Sequence, residues 1–184
     1  MSVFELELTE SQRMMREACK KFVDDSIIPF ISTNWKNEWN MTPEGRLPDF
    51  ILQNADKLGI RTLGVPETFG GISLEKEHEV RTFAIISEEI ARGDSGLADK
   101  LVQNWKVSVL LRAQADSYHQ EKWFSKLMDN PNFLFAHALT EPKGASDRWL
   151  GYNAPEAAMD TKAKKVDSGW ILNCLLYTSP SPRD

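Results

Sequence analysis

Near Asn132 the spacing of apolar residues changes from helical to alternating, and that change divides the 184-residue chain into two kinds of structure. Before it, Thr9 and Gln12 have the spacing of a capping box. Met15, Cys19, Phe22 and Ser26, flanked by Ala18 and Val23, follow on one helical face. Pro29 is expected to end this first helix near Ile28. Leu47, Ile51, Ala55 and Leu58 predict a second helix that Gly59 stops, and the Gly- and Pro-rich run Leu63–Gly71 reads as a loop. Ser73 is the expected cap of a third helix, with Val80, Phe83, Ala84, Ser87, Ile90 and Ala91 at helical spacing and Gly93 at its close. A fourth is expected from Leu97 to Arg112 along Leu101, Trp105 and Val109. Ser117 and Gln120 suggest another capping box, leading to a short helix that buries Trp123, Phe124, Leu127 and Met128 before Pro131.

After Asn132, Phe133, Phe135, His137 and Leu139 alternate with Leu134, Ala136 and Ala138, the period of a strand. Met159, Thr161 and Ala163 alternate with Asp160, Lys162 and Lys164, which predicts a half-exposed strand. Asp167-Ser168-Gly169 then turns the chain into a further strand, Trp170–Asn173. Helices first and strands second give an α+β order, with a boundary near Asn130-Pro131.

Composition narrows the function. The content is 41% hydrophobic and 27% charged, as in soluble globular proteins. No apolar run approaches the roughly 20 residues that span a bilayer. Residues 1–8 carry acids and no basic residue, unlike a secretory signal or transit peptide. The expected compartment is the cytoplasm, or an organelle matrix if a leader is missing. A net charge of −5 offers no general cationic surface for nucleic acid or an anionic membrane. Lys162, Lys164 and Lys165 form the one basic cluster and read as a solvated strand face. Cys19 and Cys174 make no disulfide framework, and Cys19 is expected in the core. His78, His119 and His137 are scattered, so no metal site is expected. His137 reads as a satisfied core histidine.

The run Ala138-Leu139-Thr140-Glu141-Pro142-Lys143-Gly144-Ala145-Ser146-Asp147 carries the chemistry. A strand-like segment enters a turn of small residues with a hydroxyl near each end. Such a turn admits a flat, phosphate-bearing group close to the backbone and leaves N–H and O–H donors free. Taken alone, Thr140 and Ser146 also suit ordinary turn capping. The wording Ala-Leu-Thr-Glu-Pro, small-residue turn, Ser-Asp resembles the signature of the acyl-CoA dehydrogenase family. Leu8–Arg13, Leu63–Glu67 with Phe69-Gly70-Gly71, Ser87–Arg92 with Asp94 and Ser95, and Gly169–Asn173 resemble further landmarks of that family in the same order.

The resemblance implies a fold and a chemistry. The fold would be α+β: an N-terminal all-α domain over 1–131, then the start of a small antiparallel β domain over 132–173. The family's C-terminal helical bundle is expected to be missing from this chain. The cofactor would be FAD, and the reaction would form an α,β double bond in an acyl-CoA thioester. Leu139 would offer backbone groups to the flavin and Thr140 its hydroxyl. Ser146, with the Ala145 backbone, would contact FAD phosphate or the acyl-CoA. Glu141 would be structural rather than the catalytic base, and no position matches that base. The implied partners are the acyl-CoA substrate and electron-transfer flavoprotein or a similar acceptor, with a homo-oligomeric parent.

The pattern breaks in three places. Lys143-Gly144-Ala145 stands where the family has Gly-Ala-Gly, so a Lys side chain meets a site meant for close phosphate approach. Arg148–Pro155 reads as an insertion bearing Trp149 and Tyr152. Beyond Asn173 the family pattern is lost, and the Ser/Pro-rich run 174–184 reads as a non-native tail. The expected outcome is weak FAD binding and no turnover from this polypeptide. An acyl-CoA oxidase of the same superfamily, a non-catalytic helical interaction module, and a hydrolase or transferase using Ser146 and Asp147 are the competing readings.

Overall fold

The structure, a computed structural model, describes residues 7–34, 48–72, 74–138, 141 and 160–173. It divides into two compact units, Met1–Ala136 and His137–Asp184. The first is helical. Its opening helix α1 spans Glu10–Phe22 and is capped as the sequence predicts. Thr9 Oγ1 accepts the Gln12 N–H at 3.2 Å, and Gln12 Oε1 accepts the Thr9 N–H at 3.1 Å.

Pro29 does not end this element. The chain passes through a π-helical turn, Val23–Ile27, into α2, Ile28–Asn34. The Ile28 N–H donates to the Val23 carbonyl, so the bonding register is reset just before the proline. Pro29 follows directly on this widened turn, where the change of register accommodates a residue that has no N–H. Apolar spacing does not report a widened turn, which is why the sequence suggested a stop.

The third helix, α3, covers Asp49–Lys57 and buries Ile51, Leu52 and Ala55. Leu47, expected on its apolar face, lies outside the described residues. Gly59 terminates it at φ +68°, with its N–H on the Asp56 carbonyl at 2.8 Å. The loop that follows contains a 3₁₀ turn at Glu67–Phe69. Gly71 lies so close to the Val65 backbone that a Cβ would stand 1.9 Å from its carbonyl oxygen.

The fourth helix, α4, spans Glu79–Gly93 and begins later than expected. The proposed cap Ser73 lies outside the described residues, and a turn from Glu75 to His78 precedes the helix. The buried face also differs. Val80 is 76% exposed, whereas Thr82, Ile86, Glu89 and Ile90 are buried. The apolar pattern is displaced from the true face by one position, about 100°. The cause is polar contact with α1. Gln12 Nε2 donates to Thr82 Oγ1 at 3.3 Å, and Arg16 Nε donates to Glu89 Oε1 at 2.9 Å. Arg92 bonds the other Glu89 oxygen at 3.2 Å and also pairs with Asp24 at 2.8 Å. Burial pushes the Glu89 carboxyl up, but the hydrogen bonds and charges of Arg16 and Arg92 outweigh it and hold the carboxyl below its usual value of 4.5.

The fifth helix, α5, spans Ser95–Gln114, and the Asp94 carboxylate caps it by accepting the Leu97 N–H at 2.7 Å. It packs against both α4 and α6, the latter being Ser117–Asp129. Asp116, not Ser117, caps α6 by accepting the His119 N–H at 2.9 Å. Gln120 instead sends its Nε2 to the Ala115 carbonyl at 2.8 Å, so the expected capping box is replaced by a single side-chain cap one residue earlier. The main core joins Cys19, Val23, Ile27, Ile51, Ile86, Leu101 and Trp105, among others. Phe83 stacks on Trp105 with ring centroids 5.5 Å apart. A smaller core gathers Val65, Phe124 and Leu127.

Residues 133–138 do not join a strand ladder. The alternation is nevertheless used. Phe133 and Phe135 pack on the smaller core, while Leu134 packs on the main one. The Arg61 and Asn104 side chains take up the Phe133 carbonyl and the Phe135 N–H, and the Phe133 N–H donates to the Asn130 carbonyl at 2.9 Å. In the second unit, β1 (Lys162–Val166) pairs antiparallel with β2 (Gly169–Asn173), with Val166 opposite Gly169 across the Asp167-Ser168 turn. This is the hairpin expected from the sequence. Its helices followed by an antiparallel pair make the chain α+β, as expected. Trp170, Ile171 and Leu172 are exposed.

Two outcomes are expected. Gly71→Ala forces a Cβ into the Val65 backbone and lowers stability by about 1–3 kcal/mol in urea unfolding. The Glu89 carboxylate, depressed in the folded state, stabilises the protein above its unfolded value, and that contribution is lost as pH falls through the folded one. Stability measured from neutral pH down to below 4.5 therefore falls, and Glu89→Gln makes the fall shallower.

Candidate functional site

The residues that the sequence singles out for a cofactor, Leu139, Thr140, Ala145 and Ser146, lie outside the described residues, as does Lys143. The segment leading to them and the residue between them are described. The lead-in segment is held by two buried polar side chains. Arg61, fully buried, donates Nη1 to the Phe133 carbonyl at 3.0 Å, Nη2 to the Leu127 carbonyl at 2.8 Å and Nε to Asp56 Oδ1 at 2.8 Å. Asn104 sits on α5 with both ends of its amide used. Its Nδ2 donates to the Arg61 carbonyl at 2.7 Å, and its Oδ1 accepts the Phe135 N–H at 2.8 Å. Trp105, the next residue, donates Nε1 to the Ile60 carbonyl at 2.7 Å.

This arrangement has a local logic. After Gly59 the chain turns, and two of its carbonyls take donors from α5: Ile60, which also accepts the Leu63 N–H at 3.5 Å, and Arg61. The guanidinium fork then reaches three acceptors on α3, on α6 and beyond α6. Sequence reasoning singled out neither Arg61 nor Asn104, because nothing local in the chain names their acceptors. A signal was present for Asn104: it sits where an amphipathic helix requires an apolar residue, between Leu101 and Ser108.

Glu141 is 4% exposed. Its Oε2 accepts the Asp160 N–H at 2.6 Å and its Oε1 accepts the Thr161 N–H at 2.8 Å. The carboxylate is thus committed to main-chain donors at the start of the hairpin, as expected for a structural acid. His137, expected in the core, is exposed. Its neighbours Ala136 and Ala138 are exposed too, so the alternation that placed it inside ends at Phe135. Cys19 is buried as expected; burial, with the nearby Glu89 charge, pushes its thiol up to about 12. That leaves it unreactive near neutral pH. Among the described residues no cluster of His, Cys, Asp and Glu could hold a metal ion, and no helix is long and apolar enough to cross a membrane.

A separate apolar groove of about 340 Å³ runs beside α1, lined by Met14, Met15, Ala18, Leu58, Ile60 and Ile72. The tight bend at Gly59 shapes it: a Cβ there would stand 2.1 Å from Ile72 Cδ1.

A model of the acyl-CoA dehydrogenase N-terminal domain matches residues 9–130, the stretch from the Thr9 cap to the end of α6. The chain belongs to the acyl-CoA dehydrogenase family. It is 26% identical over 166 residues to a (2S)-methylsuccinyl-CoA dehydrogenase of Cereibacter sphaeroides, covering 90% of the chain and 27% of that protein. It is 24% identical to the mitochondrial short-chain specific acyl-CoA dehydrogenase of Rattus norvegicus, covering 91% of the chain and 36% of the relative. A glutaryl-CoA dehydrogenase of Desulfococcus multivorans is 27% identical, with 90% of the chain and 39% of the relative covered. The chain therefore spans well under half the length of these relatives.

Two solved structures share the fold. One is a Bacillus anthracis acyl-CoA dehydrogenase complexed with FAD, with TM-score 0.67 and 24% identity over 91% of this chain and 26% of that one. The other comes from work on the electron transferring flavoprotein of Acidaminococcus fermentans, with TM-score 0.71 and 20% identity over 93% of this chain and 40% of that one.

The buried amide makes a direct prediction. Asn104→Ala leaves the Arg61 carbonyl and the Phe135 N–H without these partners. Each such buried group costs about 1–3 kcal/mol, so the urea midpoint of the chain falls clearly. Gln103→Ala, one position along the same helix, changes it little.

Proposed function

We propose that this chain forms the N-terminal part of an FAD-dependent acyl-CoA dehydrogenase, which makes an α,β double bond in an acyl-CoA thioester. The match of residues 9–130 to that family's N-terminal domain carries the reading. The domains would be helical over 1–131 and β over 132–173, with 174–184 a non-native tail. Leu139, Thr140, Ala145 and Ser146 are the residues that would hold the flavin, and Ser146 would also meet the acyl-CoA.

The donor set suits such a group. A neutral hydroxyl at Thr140, another at Ser146, and main-chain N–H groups can meet a flavin edge and phosphates without a competing charge. The one carboxylate between them, Glu141, is buried on the N–H groups of Asp160 and Thr161. Both of its oxygens are engaged, so it lacks the open oxygen that a general base requires. When bound, FAD supplies the hydride acceptor for the thioester's Cβ. The chain's own part is to orient: Arg61 and Asn104 fix the segment that ends five residues before Thr140. The catalytic carboxylate is assigned to no residue here. The same reading gives electron-transfer flavoprotein or a similar acceptor as partner, a homo-oligomeric parent, and the cytoplasm or an organelle matrix as compartment.

Titrating the chain with excess FAD, followed by flavin absorbance and fluorescence, tests the reading. Weak uptake is expected, weaker by about tenfold in Thr140→Val, the value of one hydrogen bond. Dye reduction with an acyl-CoA is expected to show no turnover. A chain that stays colourless in excess FAD removes the flavin assignment, and robust turnover refutes the inactivity of this polypeptide.

A further inference from the structure

We propose that the uncharged strand β2 is a self-association edge. Two copies of this chain pair β2 against β2 about a two-fold axis and make one four-stranded antiparallel sheet. This pairing does not depend on the flavin reading above.

Among the described residues, the sheet of the second unit has two strands, β1 and β2. A lone two-stranded hairpin is marginal in water; three or more strands with an apolar face are needed for independent stability. The two edges of this hairpin are unequal. β1 carries Lys162, Lys164 and Lys165, and lysines on an edge strand oppose pairing with another chain. β2, Gly-Trp-Ile-Leu-Asn, carries neither charge nor proline. Its Trp170, Ile171 and Leu172 are 64%, 57% and 67% exposed. A strand that fits this edge is extended, apolar and uncharged, and every other copy of the chain presents one. Pairing of like with like about a two-fold axis closes at the dimer, with both lysine strands left outermost.

The hairpin register sets which groups meet. Val166 stands opposite Gly169 across a two-residue turn, so these two exchange main-chain bonds. Bonding alternates along an antiparallel pair. Ile171 therefore points its N–H and C=O at Lys164, whereas Trp170 and Leu172 point theirs away from β1. A two-fold axis at Ile171 places Trp170 of one copy opposite Leu172 of the other, with main-chain donors and acceptors aligned. Those side chains meet on one face of the sheet. On the other face Ile171 meets its own counterpart, in the closer, non-bonded kind of pair. Lys164 and its counterpart then stand three strand spacings apart, about 14 Å, beyond the roughly 8 Å screening length at physiological salt. Pairing β1 with β1 would instead set lysines against lysines. A five-residue strand covers less than the roughly 800 Å² per partner of a standard interface, so the dimer is a weak one.

Sedimentation velocity of the whole chain, with amide hydrogen exchange at the same concentrations, tests the pairing. A monomer is expected to give way to a dimer as concentration rises through the micromolar range. The Trp170 and Leu172 amides should then exchange more slowly, while that of Ile171, already bonded to Lys164, changes little. Ile171→Lys sets two ammonium groups against each other at the axis and is expected to weaken the dimer by about tenfold. Met14→Lys, in the apolar groove beside α1, should leave it unchanged. Ile171→Cys, made with Cys174→Ser and treated with oxidised glutathione, should cross-link two copies, since Cα atoms about 4.5 Å apart lie within disulfide reach. Cys19 is buried and does not compete. A chain that stays monomeric throughout overturns the proposal. So does a dimer weakened by Met14→Lys and not by Ile171→Lys, or one that Ile171→Cys fails to cross-link. Trp170 and Leu172 amides equally protected at every dilution overturn it too, because the edge is then covered within one copy.

Discussion

The Arg61 guanidinium, fully buried among three acceptors, is the interaction that ties the end of α3, the end of α6 and the segment after α6 together within the helical unit. A buried charge is costly unless it is paired and hydrogen-bonded. Here the Asp56 carboxylate supplies the counter-charge, and the carbonyls of Leu127 and Phe133 supply the remaining acceptors. The cost is offset only while the ends of α3 and α6 and the segment after α6 are all in place. That requirement makes the contact cooperative. Asn104 extends it by joining the Arg61 carbonyl to the Phe135 N–H. Six residues from three stretches far apart in sequence, Asp56 and Arg61, Asn104, and Leu127 with Phe133 and Phe135, are thereby held to one arrangement.

A related use of polarity joins α1 to α4. The two helices meet through Gln12–Thr82 and through Glu89 between Arg16 and Arg92, beside an apolar layer of Cys19, Ile86 and Ile90. Apolar packing alone tolerates small rotations of one helix against another. Directional bonds between side chains do not, so they fix which face of α4 is turned inward. The π turn at Val23–Ile27 acts on the same element, because it lets the first helix continue past Pro29.

Much of the local structure was legible in the sequence. The Thr9–Gln12 box, the stop at Gly59, the span of α5 and the apolar face of α6 each follow from residues within a turn or two of one another. The Asp167-Ser168-Gly169 turn between two strands is of the same kind. The departures are also of one kind. The inward face of α4, the course of the chain past Pro29, and the unladdered run from Phe133 each depend on a partner distant in sequence. Arg61 and Asn104 were illegible for that reason: a polar residue looks solvated until its acceptors are known. The motif from Leu139 to Ser146 was legible as wording. Of its residues only Glu141 is described, and its buried carboxylate agrees with the structural reading.

The sequence by itself determined most of the helices, the hairpin after residue 160 and their order, because capping, turn chemistry and apolar period act over a few residues. It also carried the family resemblance, since that is a property of ordered residues along the chain. Only the tertiary structure decided which polar side chains are buried, which helix face turns inward and where the main-chain bonds of 133–135 are satisfied. The physical reason is that desolvation and hydrogen-bond pairing are settled by neighbours in space. Arg61 and Phe133 become partners only once the loop after α3 and the end of α6 have come together.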